Sequence, residues 1–250
     1  MIIAQISDTH IDLNEPDRGS RLRDLERCVS AINQLESAPD LVIHTGDLTH
    51  NGTPAEYTAV RSILDTLRCP YHVTVGNRDD RETMRAAFPA DCSVLQDSLF
   101  AQYCIDDFPL RLIVLDTKSA SSNQGDFCRI RADNLHTLLT GQANKPTAIF
   151  LHHPPFEVSE SDYPFQFKPW DAVDRMSRAL NGHHQVLGMF CGHSHREATG
   201  AIGPIPVSSM PSVAVDLRLG AQPAAFRSEP IFKVHTFDGN GGFSSEFHGA

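Results

Sequence analysis

Acidic, amide and imidazole side chains recur in short polar clusters: Asp8-Thr9-His10, Gly46-Asp47, Gly76-Asn77-Arg78-Asp79, His152-His153-Pro154-Pro155 and Gly192-His193-Ser194-His195. Imidazole and carboxylate together suit borderline transition metals such as zinc, iron, manganese or cobalt, whereas calcium takes an all-oxygen shell. Asp8, His10, Asp47, Asn77, His152, His193 and His195 are enough ligands for two ions if one carboxylate bridges them. Asp47 is assigned the bridge. Asp8, His10, Asp47 and His195 then hold the first ion, and Asp47, Asn77, His152 and His193 hold the second. An extended His193-Ser194-His195 would turn both imidazoles to one side. Glycines at 46, 76 and 192 permit sharp turns where the ligands must converge.

The clusters follow short apolar runs that read as strands. Ile2 to Ile6, Leu41 to His44 and Tyr71 to Val75 are separated by helical patterns. One carries Leu22, Leu25, Val29, Ile32 and Leu35; the other carries Tyr57, Val60, Ile63, Leu64 and Leu67. Thr53-Pro54-Ala55-Glu56 is a capping box with proline at the first helical position. The unit reads β-α-β-α-β, with Asp47 at its middle strand. Further strands are expected at Leu99 to Ile105, Leu110 to Leu115, Ala148 to Leu151 and Leu187 to Phe190. Helices are expected from about Ala132 to Leu139 and Asp171 to Leu180. Short β segments follow at Ile205 to Ser208, Ser212 to Leu217 and Ile231 to Phe237, expected to complete a second sheet. In open α/β sheets ligands bind beyond the carboxyl ends of the strands, which is where these clusters fall.

The 250 residues are read as one α/β domain, 1–250, with 40% hydrophobic and 21% charged residues. A formal charge of -10 argues against a nucleic-acid polymer or an anionic membrane as partner. A metal can still invert the field locally for a small anion. No run approaches a membrane span, and the first residues, MIIAQISD, lack the basic region of a secretory signal. The 6 cysteines show no CxxC spacing and read as apolar fillers of a reduced, cytoplasmic protein.

DTH, GD, GN, HHPP and GHSH, in that order, resemble the calcineurin-like metallophosphoesterase superfamily, and within it the class III cyclic-nucleotide phosphodiesterase and glycerophosphodiesterase branch. The resemblance runs from Asp8 to His195. It implies a four-layer α/β/β/α sandwich of two mixed sheets flanked by helices. It also implies two divalent transition-metal ions (Fe, Mn or Zn) on the ligands named above, with His152 preferred over His153. Arg78 stands where the family's motif has histidine. A guanidinium can hold phosphate bidentately but cannot usefully give a proton, so Asp79, Asp80 or a bound water is left for that task.

The activity implied is hydrolysis of small phosphodiesters, cyclic nucleotides or glycerophosphodiesters, by a hydroxide bridging the ions. Such a site keeps a charge of about +1, suited to a diester monoanion. Asp47 and Arg78 are the expected catalytic residues; Asn77, Arg78 and His153 are the expected substrate contacts. A phosphomonoesterase and a non-catalytic metal-holding scaffold are the alternatives. Members of the branch often form homo-oligomers, which composition does not decide. His50, Asn51 and Asp12 are weighed between pocket lining and plain loop. Tyr163 to Trp170 is weighed between a cap and a packed loop. His44, His72, His136, His183, His184, His235 and His248 are read as structural.

Overall fold

The computed structural model describes residues 1–14, 20–88, 99–221, 226–239 and 241–250. Gly19 and Cys92 lie outside these. β1 (Ile2–Ile6), β2 (Leu41–His44) and β3 (Tyr71–Val73) are parallel, and α1 (Ser20–Asn33) and α2 (Pro54–Leu64) link them. α2 begins as its capping box dictates: Thr53 Oγ1 accepts from Glu56 N, and the Glu56 carboxylate accepts from Thr53 N. A further helix, α3 (Arg81–Ala87), was not expected. Asp80 caps it by accepting from Thr83 N at 2.9 Å.

The second sheet starts with β4 (Tyr103–Ile105), β5 (Arg111–Val114), β6 (Thr147–Phe150) and β7 (Val186–Cys191), with α4 (Arg129–Gly141) and α5 (Asp171–Leu180) between strands. β8 (Ala198–Ile202), β9 (Ile205–Ser209), β10 (Ile231–Phe237) and β11 (Phe243–Gly249) complete the fold. One sheet has the order β11-β10-β1-β2-β3 and the other β4-β5-β6-β7-β9-β8. The tail completes the second sheet as expected, but only with part of its strands. β8 and β9 extend the second sheet, while β10 returns antiparallel to β1 in the first. The expected strand Ser212 to Leu217 is instead a loop closed by a 3₁₀ turn, Val215–Leu217. β8 and β11 escape a hydropathy reading because they are edge strands, small or polar on their exposed face.

Three apolar clusters fill the gaps between four layers. Leu25, Val29, Ile32, Tyr57, Val60 and Met84 pack α1, α2 and α3 on the outer face of the first sheet. Leu135, Leu139, Val173 and Met176 pack α4 and α5 on the outer face of the second. Ile3, Ile43, Tyr103, Leu112, Phe150, Phe190 and Phe237 fill the space between the sheets. The fold is an α/β/β/α sandwich of two mixed sheets. Parallel β1–β3 and parallel β5–β7 bring their carboxyl ends to one rim, where Gln5 Nε2 donates to Cys191 O at 3.1 Å across the seam. Among the described residues no helix is long and apolar enough to cross a membrane.

Candidate metal centre

The backbone is most constrained at this rim. Asp8, His10, Asp47, His193 and His195 have φ of 55°, 44°, 52°, 65° and 53°. They are the positive-φ non-glycine residues among those described, and each left-handed residue costs roughly 1–2 kcal/mol. Neighbouring backbone holds them there: Asp8 N donates to Gly46 O at 3.0 Å, His10 N to Asp47 O at 2.9 Å and Leu219 N to His195 O at 2.9 Å. His193-Ser194-His195 is thus not the extended segment expected from its spacing. Two left-handed residues around Ser194, and not strand alternation, turn both imidazoles inward.

These turns converge the donor atoms. Asp47 Oδ2 lies 3.3 Å from His10 Nε2 and 3.5 Å from His152 Nε2. On one side, Asp8 Oδ1 is 3.4 Å from His195 Nε2, which is 3.1 Å from His10 Nε2. On the other, His152 Nε2 is 3.0 Å from Asn77 Oδ1 and 3.2 Å from His193 Nδ1. All the residues expected as ligands therefore meet, with Asp47 between the two groups. His152 donates from Nδ1 to Thr45 O at 2.8 Å, and His195 from Nδ1 to Leu217 O at 3.0 Å. Each Nε2 is then the nitrogen turned to the other donor atoms, and once deprotonated it completes a set of donors that fits a cation. Among the described residues the buried Nδ1 of His10 has no hydrogen-bond partner.

Electrostatics agree with that demand. Burial opposes ionisation of Asp8 and Asp47, yet neighbouring imidazoles hold both carboxyls well below the usual range. Burial also disfavours a charged His152, but Asp47 beside it lifts the imidazole to about 9. Burial, reinforced by His152, pushes His193 down to about 3. Two buried carboxylates thus call for positive charge at the point where the imidazoles meet.

Close approach explains two glycines. A Cβ at Gly192 would lie 1.9 Å from Ser7 Oγ and 2.4 Å from Asp8 Oδ2. One at Gly76 would lie 2.2 Å from both Asp47 N and Oδ1. Neither glycine has a positive φ, so lack of bulk, and not turning, is what these positions require.

Other expected residues fall differently. Arg78 is exposed at the rim, and its backbone N–H donates to Asp47 Oδ1 at 2.7 Å. Among the described residues its guanidinium forms no ion pair, so an internal salt bridge does not occupy it. Asp79 is no candidate acid. It is buried and accepts from Gly76 N, Leu48 N, Thr49 N, Thr49 Oγ1 and the Tyr57 hydroxyl, clamping the loops after β2 and β3 together. Asp80 is committed to the α3 cap. His153 is buried with Nδ1 against Thr117 Oγ1 at 2.8 Å and Nε2 against Asn123 O at 3.0 Å, so neither nitrogen is free to meet a substrate. Its ring lies tilted against that of His193, 4.3 Å between centroids.

His50 is half-buried near His10, 6.0 Å between ring centroids. Asn51 bridges Asp12 and Glu56 and is structural. In the 163–170 loop, Phe167 packs against His153, while Tyr163 and Phe165 stay exposed. A cavity of about 420 Å³ lined by Arg178, His183 and His184 contains none of the converging donors.

Sequence reasoning missed the supports. Arg21 donates to His10 O at 3.0 Å and pairs with Asp216 at 2.9 Å, beside the Leu217 carbonyl that orients His195. Ser212 Oγ donates to Asp8 O at 2.6 Å. Lys118 Nζ donates to Asn77 O at 2.6 Å. Lys118 had a signal, since Asp116-Thr117-Lys118 is another polar cluster after a strand, at the end of β5.

Fold and donors together define a metallophosphoesterase type of protein. Residues 1–197 match the family described as Calcineurin-like phosphoesterase, and the chain belongs to that family. It is 32% identical over 242 residues to a probable glycerophosphodiester phosphodiesterase, GpdQ, of Arcobacter nitrofigilis, covering 94% of this chain and 88% of the relative. It is 30% identical over 221 residues to a cAMP/cGMP dual specificity phosphodiesterase of Mycobacterium tuberculosis, covering 83% and 65% respectively. Its fold is similar to that of a dimetal phosphatase from Danio rerio, with a TM-score of 0.74 at 16% identity, covering 94% of this chain and 92% of that one.

Proposed function

We propose that the chain is a dinuclear metal-dependent phosphodiesterase acting on small phosphodiesters, either glycerophosphodiesters or cyclic nucleotides. The observation that carries this is Asp47 Oδ2, 3.3 Å from His10 Nε2 and 3.5 Å from His152 Nε2, shared between two converging donor groups. Asp8, His10, Asp47 and His195 would hold one ion, and Asp47, Asn77, His152 and His193 the other. Bound there, two divalent ions of iron, manganese or zinc supply a hydroxide at neutral pH and positive charge for the phosphoryl oxygens.

The chain's own groups do the rest. Thr45 O and Leu217 O fix the tautomers of His152 and His195, so that each presents Nε2. The Arg78 backbone steadies the bridging carboxylate, and its free guanidinium binds a non-bridging phosphate oxygen. With Asp79 and Asp80 committed elsewhere, no side chain of that loop hands a proton to the leaving group. Protonation of the alkoxide that leaves such diesters then falls to a bound water. His153 holds the ligand cluster from behind and does not contact substrate. The net charge of -10 supports small substrates over nucleic-acid polymers, and the free state of Cys28, Cys69, Cys104, Cys128 and Cys191 supports a reducing, cytoplasmic setting.

The test is metal analysis with paired kinetics. Close to two ions per chain, and faster hydrolysis of bis(p-nitrophenyl) phosphate than of the monoester, are expected. Equal or faster monoester turnover would shift the reading to a phosphomonoesterase, which an unpaired Arg78 also suits. Full loading without turnover of either would leave a binding scaffold.

A further inference from the structure

Arg78, Arg81, Lys118 and Arg131 are cations on or against the loops after β3 and β5, and they are not equivalent. Arg81 grips Asp116 with two nitrogens, one at 2.9 Å from Oδ1. Arg131 pairs with Asp126 and reaches Asp116 at 3.8 Å. Both charges are matched by carboxylates. Arg78 and Lys118 form no ion pair among the described residues. The proposed chemistry gives Arg78 the scissile phosphate, and Lys118 is left over.

Lys118 is held for a task. Its backbone N–H donates to Asp116 Oδ1 at 2.9 Å, and its carbonyl accepts from Arg131 at 3.1 Å and from Arg81. The side chain is half-buried, and the ammonium donates to one neutral acceptor, Asn77 O at 2.6 Å. Ammonium carries three donors, so two stay available. Asp79 and Asp47 attract it from a distance, but their oxygens are engaged by Gly76, Thr49 and Tyr57 and by Arg78 N, His10 and His152. A half-buried ammonium with two donors turned to no protein acceptor among the described residues can bind an anion with charge-assisted hydrogen bonds. The chain is otherwise acidic, so a tethered cation without a carboxylate partner is a point of attraction for an anion, beside the one that Arg78 offers.

We propose that Lys118 is a specificity-determining residue that receives a second anionic group of the substrate. The preferred phosphodiesters would then carry a carboxylate or a further phosphate on one ester arm. This inference rests on the phosphodiesterase reading above.

The experiment uses the metal-loaded full chain and two p-nitrophenyl phosphodiesters, identical except that one alkyl arm ends in a carboxylate and the other in a methyl group. The wild type should prefer the carboxylate arm, chiefly through KM. Lys118→Met should lower that preference about tenfold, and Lys118→Arg should keep most of it. Metal content of each variant is measured alongside. No preference in the wild type overturns the proposal. So does an equal loss on both substrates with metal lost from Lys118→Met, which would make Lys118 a brace for Asn77 alone. Hydrolysis of neither diester by the wild type would instead overturn the phosphodiesterase reading itself.

Discussion

The half of the centre built from Asp8, His10 and His195 and the half built from Asn77, His152 and His193 present similar donors on different supports. The first hangs on three left-handed residues and is braced from the far end of the chain. Leu217 O orients His195, Ser212 Oγ supports Asp8 O, and Arg21 ties His10 O to Asp216. Asp24 on α1 secures the same turn by accepting from Val215 N at 2.9 Å. In the second half, Thr45 O orients His152 from the seam between the sheets, while Asn77 is tethered by Lys118. One half includes its own carboxylate, Asp8; the other includes only a neutral amide, Asn77. A neutral ligand gives up less Coulomb energy when lost. The first position should therefore be the tight one, with affinity dependent on distant residues, and the second the exchangeable one.

Asp47 belongs to both halves, so its removal should hurt most. Asp47→Ala is expected to lower activity by at least about a thousandfold and to release both ions, read by elemental analysis. Retention of one tightly bound ion would show the halves to be independent. Asn77→Ala should cut affinity at the second position by about 10–100-fold while sparing the first, seen by titrating the apo-protein with Mn²⁺ and following the spin signal. Loss of both ions together would erase the distinction.

Arg21→Met attacks the other half without touching a donor. About a tenfold weakening confined to the first position is expected in the same titration, with circular dichroism confirming the fold. Weakening of the second position instead would reverse the assignment of supports.

The smallest effect should come from outside both halves. His235 is buried between Gln5 and Ser245, and burial holds its pKa at about 3 against 6.5. In that window the unfolded chain binds a proton there that the folded chain does not, so stability is full above about 6.5 and falls as pH drops toward 3. His235→Gln should remove about 1 kcal/mol of the stability lost between pH 7 and 5.5, measured by urea unfolding of the apo-protein. An unchanged pH slope would place the acid sensitivity in the metal cluster.

Much of this molecule can be read locally. The capping box at Thr53 and the apolar periods of α1 and α2 are local signals, and they appear where expected. So do the clusters closing β1, β2, β6 and β7. Edge strands β8 and β11 and the short helix α3 were not legible, because little of their surface is buried against the core and their patterns are weak. Asp79 shows the same limit at the site. Beside Arg78 it reads as a candidate acid, but its five donors come from residues 48, 49, 57 and 76, which only folding assembles.

By itself the sequence determined the donor chemistry and the rim on which it would lie. Residue types set what can bind a cation, and strand periodicity is encoded within a few neighbouring positions. Only the tertiary structure decided how the donors are aimed. The left-handed turns at Asp8, His10, Asp47, His193 and His195 are strained conformations held by contacts with residues distant in sequence. It also decided which charges are satisfied and which remain open, as Arg81 and Lys118 illustrate, because pairing depends on distances across the fold that no local pattern records.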